Sequence, residues 1–233
     1  MKSKNKVLHS LEKFKENELI FASKLYREEL SENISEEAYY KTLERMCKAG
    51  KLFKIAKGTY YLPKIGKYGV VPPSEKEIVQ EFTSNSMGTI VGYYLYNALG
   101  LTTQISKNIN VLSAKTENAT KTIKNVVVHY YPIKYTQVVT SMIHALDVLE
   151  NFYKIQDLNY KAFLTYINNF ARDYKEENFE YVISKINYKK STIAFLKEVL
   201  EYYHVSNNLY KYLSALSKYK HPKMEQLYEI TRV

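Results

Sequence analysis

The chain has 233 residues, of which 45% are hydrophobic and 25% are charged, and its formal net charge is +10. These values are typical of a folded chain of one or two domains and exclude collagen-like and disordered classes, while the single cysteine, Cys47, excludes an internal disulfide and a thiolate zinc site. We expect a cytoplasmic protein without a membrane partner, because the sequence has neither an N-terminal signal pattern nor an apolar run of the roughly 18 residues that a membrane span requires.

The first 50 residues predict three helices. Apolar spacing indicates the first helix at 7–15. Ser23 is the predicted N-cap of a short second helix that ends near Leu30. Ser35 is the predicted N-cap of a third helix, which carries two glutamates in its first turn, where the helix dipole favours acids, and stops at Gly50.

Two β-favouring runs follow, at 52–56 and 59–62. Lys57-Gly58 separates them, and glycine supplies the positive φ that a two-residue hairpin turn requires. Three helices followed by a hairpin predict a winged helix-turn-helix. In such a domain the third helix fits the major groove of duplex DNA, and the hairpin wing reaches the flanking backbone or the minor groove.

Positive charge is concentrated in the same part of the chain. Residues 41–70 contain eight basic residues against Glu44 alone, a net charge of +7. The candidate reading face of the third helix comprises the residues off its apolar stripe: Glu37, Tyr40, Lys41, Glu44, Arg45 and Lys48. The candidate phosphate contacts are Lys51 at the base of the wing, with Lys54 and Lys57 on it. We expect Arg45 to meet guanine edges, and Tyr40 or Lys41 to meet phosphate or a thymine methyl group. The alternative is a solvated basic face on a winged helix that contacts protein.

A domain boundary is predicted after residue 70, where five Gly and Pro residues fall close together: Pro63, Gly66, Gly69, Pro72 and Pro73. In 71–233, the pattern predicts helices at 74–82 and 89–99 and strands at 110–113 and 125–131. Five further helices are predicted: 136–153, 158–174, 176–187, 190–204 and 206–219. The sequence therefore predicts an α+β protein, a winged helix-turn-helix followed by a helix-rich α+β domain.

No catalytic or cofactor site is predicted in either domain. Phosphate-binding glycine loops, the serine-hydrolase elbow and the zincin motif are all missing from the sequence, and the five histidines lack metal-ligand spacing. Ser141, His144 and Asp147 are the residue types of a hydrolase triad. Successive turns of one helix set such side chains next to each other rather than end to end, so we expect them to face solvent or a partner.

Two stretches carry a resemblance to a known family. Residues 49–63, AGKLFKIAKGTYYLP, resemble the wing of the AbiE-type antitoxins, transcriptional regulators of abortive-infection toxin-antitoxin systems. Residues 92–104, GYYLYNALGLTTQ, resemble a Leu-Gly-Leu-Thr-Thr-Gln signature of relatives of that group. The resemblance implies a repressor that binds repeats in its own promoter through the N-terminal domain, and a second domain that neutralises a toxin of nucleotidyltransferase type. Because reading an inverted repeat benefits from pairing, we also expect a homodimer.

Overall fold

A computed structural model describes residues 3–116 and 120–231, which fold as an α+β protein. The chain divides into two compact units. Unit 1 comprises the residues up to 81 together with 122–126, and unit 2 comprises 82–121 and the residues from 127 onward. The sequence places the boundary after residue 70, whereas this division falls after Glu81.

Unit 1 has the element order and strand pairing of a winged helix. Its elements are α1 (Ser3–Leu11), β1 (Leu19–Phe21), α2 (Ala22–Leu25), a π-helical turn (Tyr26–Leu30), α3 (Glu36–Lys48), β2 (Phe53–Ala56), β3 (Thr59–Tyr61), β4 (Lys64–Gly66) and β5 (Gly69–Val71), followed by the start of α4 (Glu75–Thr83). The strands of the first sheet lie in the order β1-β3-β2. Both pairings are antiparallel, with Leu19 opposite Tyr61 on one side and Phe53 opposite Tyr61 on the other.

A single apolar core holds the helices of unit 1 together. Tyr39 of α3 is fully buried, and its hydroxyl donates a hydrogen bond to the carbonyl of Ala22 at 3.1 Å. The bond satisfies a polar group that would be costly to bury alone. The other core residues come from α1, β1, the α2 region, α3 and the start of the wing: Val7, Leu11, Ile20, Ala22, Leu25, Leu30, Ile34, Leu43, Met46 and Leu52.

The winged helix differs from the sequence prediction at its start. The first helix spans Ser3–Leu11 rather than 7–15. The second helix begins at Ala22, so the prediction of Ser23 as its N-cap is wrong, and the residue before it, Phe21, makes no side-chain capping bond. Phe21 belongs instead to β1, a strand that is not predicted because only its long-range pairing with β3 defines it.

A second hairpin, β4–β5, occupies the segment predicted as a boundary. Lys64 lies opposite Val71, Ile65 opposite Val70 and Gly66 opposite Gly69. Gly69 has a φ of +114°, which glycine adopts without the steric cost that a side chain brings. The glycine cluster therefore builds a tight turn here.

Unit 2 combines a sheet with a group of helices. Its elements are β6 (Gly88–Val91), α5 (Tyr93–Ala98), β7 (Ile109–Ser113), β8 (Thr120–Ile123), β9 (Val126–Tyr130), α6 (Gln137–Asn151), α7 (Tyr160–Arg172), α8 (Glu176–Ile183), α9 (Lys190–Tyr202) and α10 (Met224–Ile230). The last two residues of β8 and the first residue of β9 are assigned to unit 1. The strand order is β6-β7-β9-β8. At the centre of the helical core, the ring of Phe152 lies 5.1 Å from that of Phe163 and 5.3 Å from that of Phe195.

Of the helices predicted in unit 2, one is wrong in its first part and another is wrong over its whole length. In place of a helix over 89–99, β6 runs to Val91, and Gly92, at φ +72°, turns the chain into α5. In place of a helix over 206–219, the chain forms only a 3-10 turn, Leu209–Tyr212. Asn207 explains the second difference, because its side chain accepts from the backbone N–H of Leu209 at 3.3 Å and so competes with helical hydrogen bonding. Across the described ranges, no helix has the length and apolar character to cross a membrane.

Candidate nucleic-acid interface

Helix α3 presents one face outward because buried side chains fix the opposite face. Ser35 caps the helix by accepting the N–H of Ala38 at 3.4 Å, as the sequence predicts. The buried residues of the helix are Tyr39, Thr42, Leu43 and Met46. Five of the six residues of the candidate reading face are consequently exposed: Glu37, Lys41, Glu44, Arg45 and Lys48.

Two ion pairs run along the centre of this outward face. Lys41 Nζ lies 2.6 Å from Glu37 Oε1, and Lys48 Nζ lies 2.7 Å from Glu44 Oε1, both one helical turn apart. The hydrogen bond from Lys48 lowers the pKa of the Glu44 carboxyl, which stays charged at neutral pH. Exposed pairs of this kind contribute little to stability, because water and salt screen the attraction between the charges.

Tyr40 is the remaining residue of the candidate reading face, and it is half-buried. Its ring centroid lies 5.1 Å from that of Tyr39, in an edge-on arrangement at the border of the core. Burial raises the pKa of Tyr60 on the wing, and Cys47 and Tyr40 add to that shift, which places these side chains near one another. Tyr40 therefore belongs to the junction between α3 and the wing.

Arg45 and Lys51 are brought together on the other flank of α3. They line a hollow of about 250 Å³ between α1 and α3, whose remaining lining residues are Leu8, Thr42, Met46 and Ala49. Both side chains are exposed. Among the described residues, no carboxylate lies within ion-pair distance of either one. The flank of α3 therefore carries net positive charge, whereas each lysine at the centre of the outward face is paired with a glutamate.

The wing supplies two more exposed cations. Lys54 lies in β2 opposite Tyr60, and a register shift follows between Lys54 and Ala56. Lys57 occupies the turn beside Gly58, which has the positive φ of +67° that the sequence predicts. The wing thus presents one lysine along a strand and one at its tip.

Sequence reasoning missed one part of this surface. No aspartate or glutamate occurs from Arg45 to Ser74, whereas the same stretch holds Arg45 and six lysines. The last two of these lysines, Lys64 and Lys67, lie on the β4–β5 hairpin and are exposed. The β-branched residues that flank Gly66 and Gly69 were the available sequence signal for a strand pair.

A triad-like set in unit 2 has a structural explanation. His144 Nε2 lies 2.7 Å from Thr89 Oγ1, and Asp147 Oδ2 accepts from the N–H of Gly92 at 2.9 Å and from the hydroxyl of Tyr96 at 2.8 Å. The expectation that Ser141, His144 and Asp147 face solvent or a partner is therefore wrong for His144 and Asp147, whose side chains bind other parts of unit 2. Both bind the β6–α5 segment to α6.

Burial shifts the proton equilibria of both groups in that set. It lowers the pKa of His144 to about 4, so the imidazole is neutral at pH 7, and it raises the pKa of Asp147 against the opposing effect of the Gly92 and Tyr96 hydrogen bonds. Ser141, in contrast, is exposed. Over the residues that the structure describes, no group of three His, Cys, Asp or Glu side chains is placed to hold a metal ion.

Comparison with known proteins gives one family. A sequence-family model described as "Family of unknown function (DUF6088)" matches residues 6–146, a span that begins within α1, covers the rest of the winged helix and continues into α6. A search of curated proteins finds no match. Because the family model covers more than half of the 233 residues, the chain belongs to the DUF6088 family.

Proposed function

We propose that the chain is a DNA-binding transcriptional regulator that contacts duplex DNA through unit 1. The observation that carries the proposal is the acid-free stretch from Arg45 to Ser74, folded onto the third helix and wing of a winged helix. Exposed cations displace counterions from the DNA backbone, and the release of those ions drives association. The target lies in the cytoplasm, in the promoter of the chain's own operon.

In the proposed complex, the lysines of unit 1 contact the DNA backbone and Arg45 contacts the bases. In this proposal α3 enters the major groove, and Lys51, Lys54 and Lys57 contact phosphates beside it. The centre of the outward face carries both signs of charge, so base reading falls to Arg45, whose guanidinium has the fork that matches the O6 and N7 atoms of guanine.

Salt dependence of binding tests the phosphate contacts. A labelled duplex from upstream of the gene is titrated with the full chain between about 50 and 200 mM salt, where each phosphate contact contributes about −0.9 to the log-log slope. Lys54→Ala/Lys57→Ala should weaken binding to every sequence and flatten the slope by about 2. Lys161→Ala/Lys185→Ala, which removes two exposed charges from unit 2, is the matched control and should bind like the wild type.

Sequence preference tests the role of Arg45. Arg45→Ala should reduce discrimination between the promoter duplex and a scrambled duplex by about tenfold, the effect of losing one bidentate base contact. If neither the wing pair nor Arg45→Ala changes promoter binding, the surface is wrongly assigned.

We further propose an antitoxin role, with a nucleotidyltransferase-type toxin and a second copy of the chain as partners. The support is the resemblance of residues 49–63 and 92–104 to the AbiE-type group. The adjacent reading frame should encode such a toxin, and coexpression of the chain should restore growth of cells that express it. A neighbouring frame of unrelated chemistry would remove the proposal. Sedimentation velocity of the free chain tests the dimer.

A second candidate function is a winged helix that contacts protein. The observation in its favour is the pair of ion pairs on α3, because they leave the centre of the outward face without net charge. Under this alternative, binding to DNA is weak, and the Lys54→Ala/Lys57→Ala pair lacks an effect on promoter occupancy. The salt titration separates the two functions.

A further inference from the structure

The β4–β5 hairpin projects from unit 1 between two fixed ends. At its start, the carbonyl of Leu62 accepts the N–H of Asn17 at 3.0 Å, and at its end the carbonyl of Pro73 accepts a hydrogen bond from Lys124. Between these ends nearly every side chain is exposed, and Tyr68 at the tip is 94% exposed. The segment is thus a two-stranded ribbon with anchored ends.

The faces of this ribbon differ in chemistry. Cross-strand partners share a face, so Lys64 and Val71 lie on one side and Ile65 and Val70 on the other. Ile65 is 69% exposed. Exposed apolar side chains on a short unprotected ribbon point to a surface that a partner covers.

The tip is slender and positively charged. Gly66 and Gly69 oppose each other without side chains, and a Cβ at Gly66 would meet Val71 Cγ2 at 2.8 Å. Beyond them lie only Lys67 and Tyr68, with Lys67 Nζ 5.5 Å from the centroid of the tyrosine ring. A two-stranded ribbon of this kind fits a DNA groove, where aromatic rings contact sugars and bases.

We infer that the β4–β5 hairpin is a second DNA-contacting element, in which Lys64 and Lys67 bind phosphates and Tyr68 enters the groove. This inference rests on the proposed function of unit 1. Charge selects duplex DNA over a protein partner, because the ribbon continues the stretch of Arg45 to Ser74 in which basic residues occur without any acid. The hairpin spans three residues per strand, or about 10 Å, which corresponds to about three base pairs beside the site of the winged helix.

The test compares variants of the full chain on the promoter duplex. Lys64→Gln/Lys67→Gln should lower affinity at least about tenfold near 0.1 M salt, flatten the salt slope by about 2, and shorten the hydroxyl-radical footprint by about three base pairs at one flank. Tyr68→Ala should also weaken binding, whereas Tyr68→Phe should restore it. Lys161→Gln/Lys185→Gln is the control of equal charge, and circular dichroism confirms that every variant folds.

The outcomes separate this inference from the proposed function. If the wild type binds and the wing pair weakens it, but the hairpin variants bind like the wild type, only the hairpin inference is overturned. Wild-type binding that does not respond to salt overturns both. If the hairpin variants instead lower the sedimentation coefficient of the free chain from that of a dimer to that of a monomer, and the loss of the dimer accounts for the loss of DNA affinity, the ribbon joins two copies. That result also overturns the inference.

Discussion

The buried imidazole of His144 predicts a specific pH dependence of stability in unit 2. In the unfolded chain a histidine has a pKa of about 6.5. In the folded chain, burial lowers the pKa of His144 to about 4. Between these two values the unfolded chain binds a proton that the folded chain does not. The contribution of the neutral His144 to the free energy of unfolding is therefore complete above about pH 6.5 and is lost as the pH falls toward about 4.

The size of the effect follows from the two pKa values. A difference of about 2.5 units corresponds to about 3 kcal/mol in full, of which about 2 kcal/mol is lost between pH 7 and pH 5. That window lies above the range in which Glu29, Glu44 and Glu77 lose their charges, because the pKa of each is lowered below its ordinary value. Asp147, one turn along α6, has a raised pKa and contributes with the opposite sign.

The assay is urea unfolding at pH 7 and pH 5, followed by pulsed hydrogen exchange of peptides from α6, which assigns the transition to unit 2. His144→Gln removes the titrating group and leaves Asp147 in place, so the difference between the two proteins isolates the histidine. Thr89→Val removes the hydrogen bond but keeps the buried imidazole, and it should retain the pH dependence. Equal losses of stability in the wild type and in His144→Gln would refute the reasoning.

Three further predictions concern two single substitutions in unit 2 and one double substitution on α3. Asp147→Ala should lower the free energy of unfolding of unit 2 by about 3–5 kcal/mol, measured with urea, because two buried donors lose their acceptor. A loss below about 1 kcal/mol would show that these hydrogen bonds do not hold the β6–α5 segment to α6. Gly92→Ala should lower the free energy of unfolding of unit 2 by about 1–2 kcal/mol, because alanine is strained at φ +72°. An unchanged urea midpoint would show that the turn between β6 and α5 does not require glycine at this position. Glu37→Gln/Glu44→Gln should raise affinity for a scrambled duplex several-fold in the salt titration and leave the urea midpoint nearly unchanged, because both carboxylates are exposed. Weaker binding would show that the carboxylates do not compete with phosphate.

Local signals in the sequence were sufficient for the centre of the winged helix. Ser35 and Gly50 mark the ends of α3 because a side-chain cap and a positive φ are properties of single residues. Gly58 marks the wing turn for the same reason. β1 could not be found in this way, since three residues carry no periodicity and their strand conformation depends on pairing with β3 about 40 positions later.

The misread segments of unit 2 have a related cause. The run around Tyr93 has helical spacing, but the residues before Gly92 are held in β6 by pairing with β7. Tertiary contacts therefore override a local preference at this point.

The candidate surface was only partly readable from the sequence. The exposure of Lys41, Lys48 and Arg45 follows from helical spacing alone. The ion pairs of the first two lysines and the hollow that Arg45 shares with Lys51 depend on side-chain placement in three dimensions. The second hairpin could not be distinguished from a linker in the sequence, because glycine and proline occur in both linkers and tight turns.

Under the proposed function, the two glutamates of α3 that pair with lysines, Glu37 and Glu44, occupy the place that the anions of a nucleic acid would take. Any duplex that draws Lys41 and Lys48 away must leave two carboxylates facing the groove. A run of cytosines can compensate, because the N4 amino group donates to a carboxylate, whereas a sequence without such donors cannot. If α3 reads DNA, these two carboxylates therefore lower the affinity of the protein for random sequence relative to its affinity for the operator.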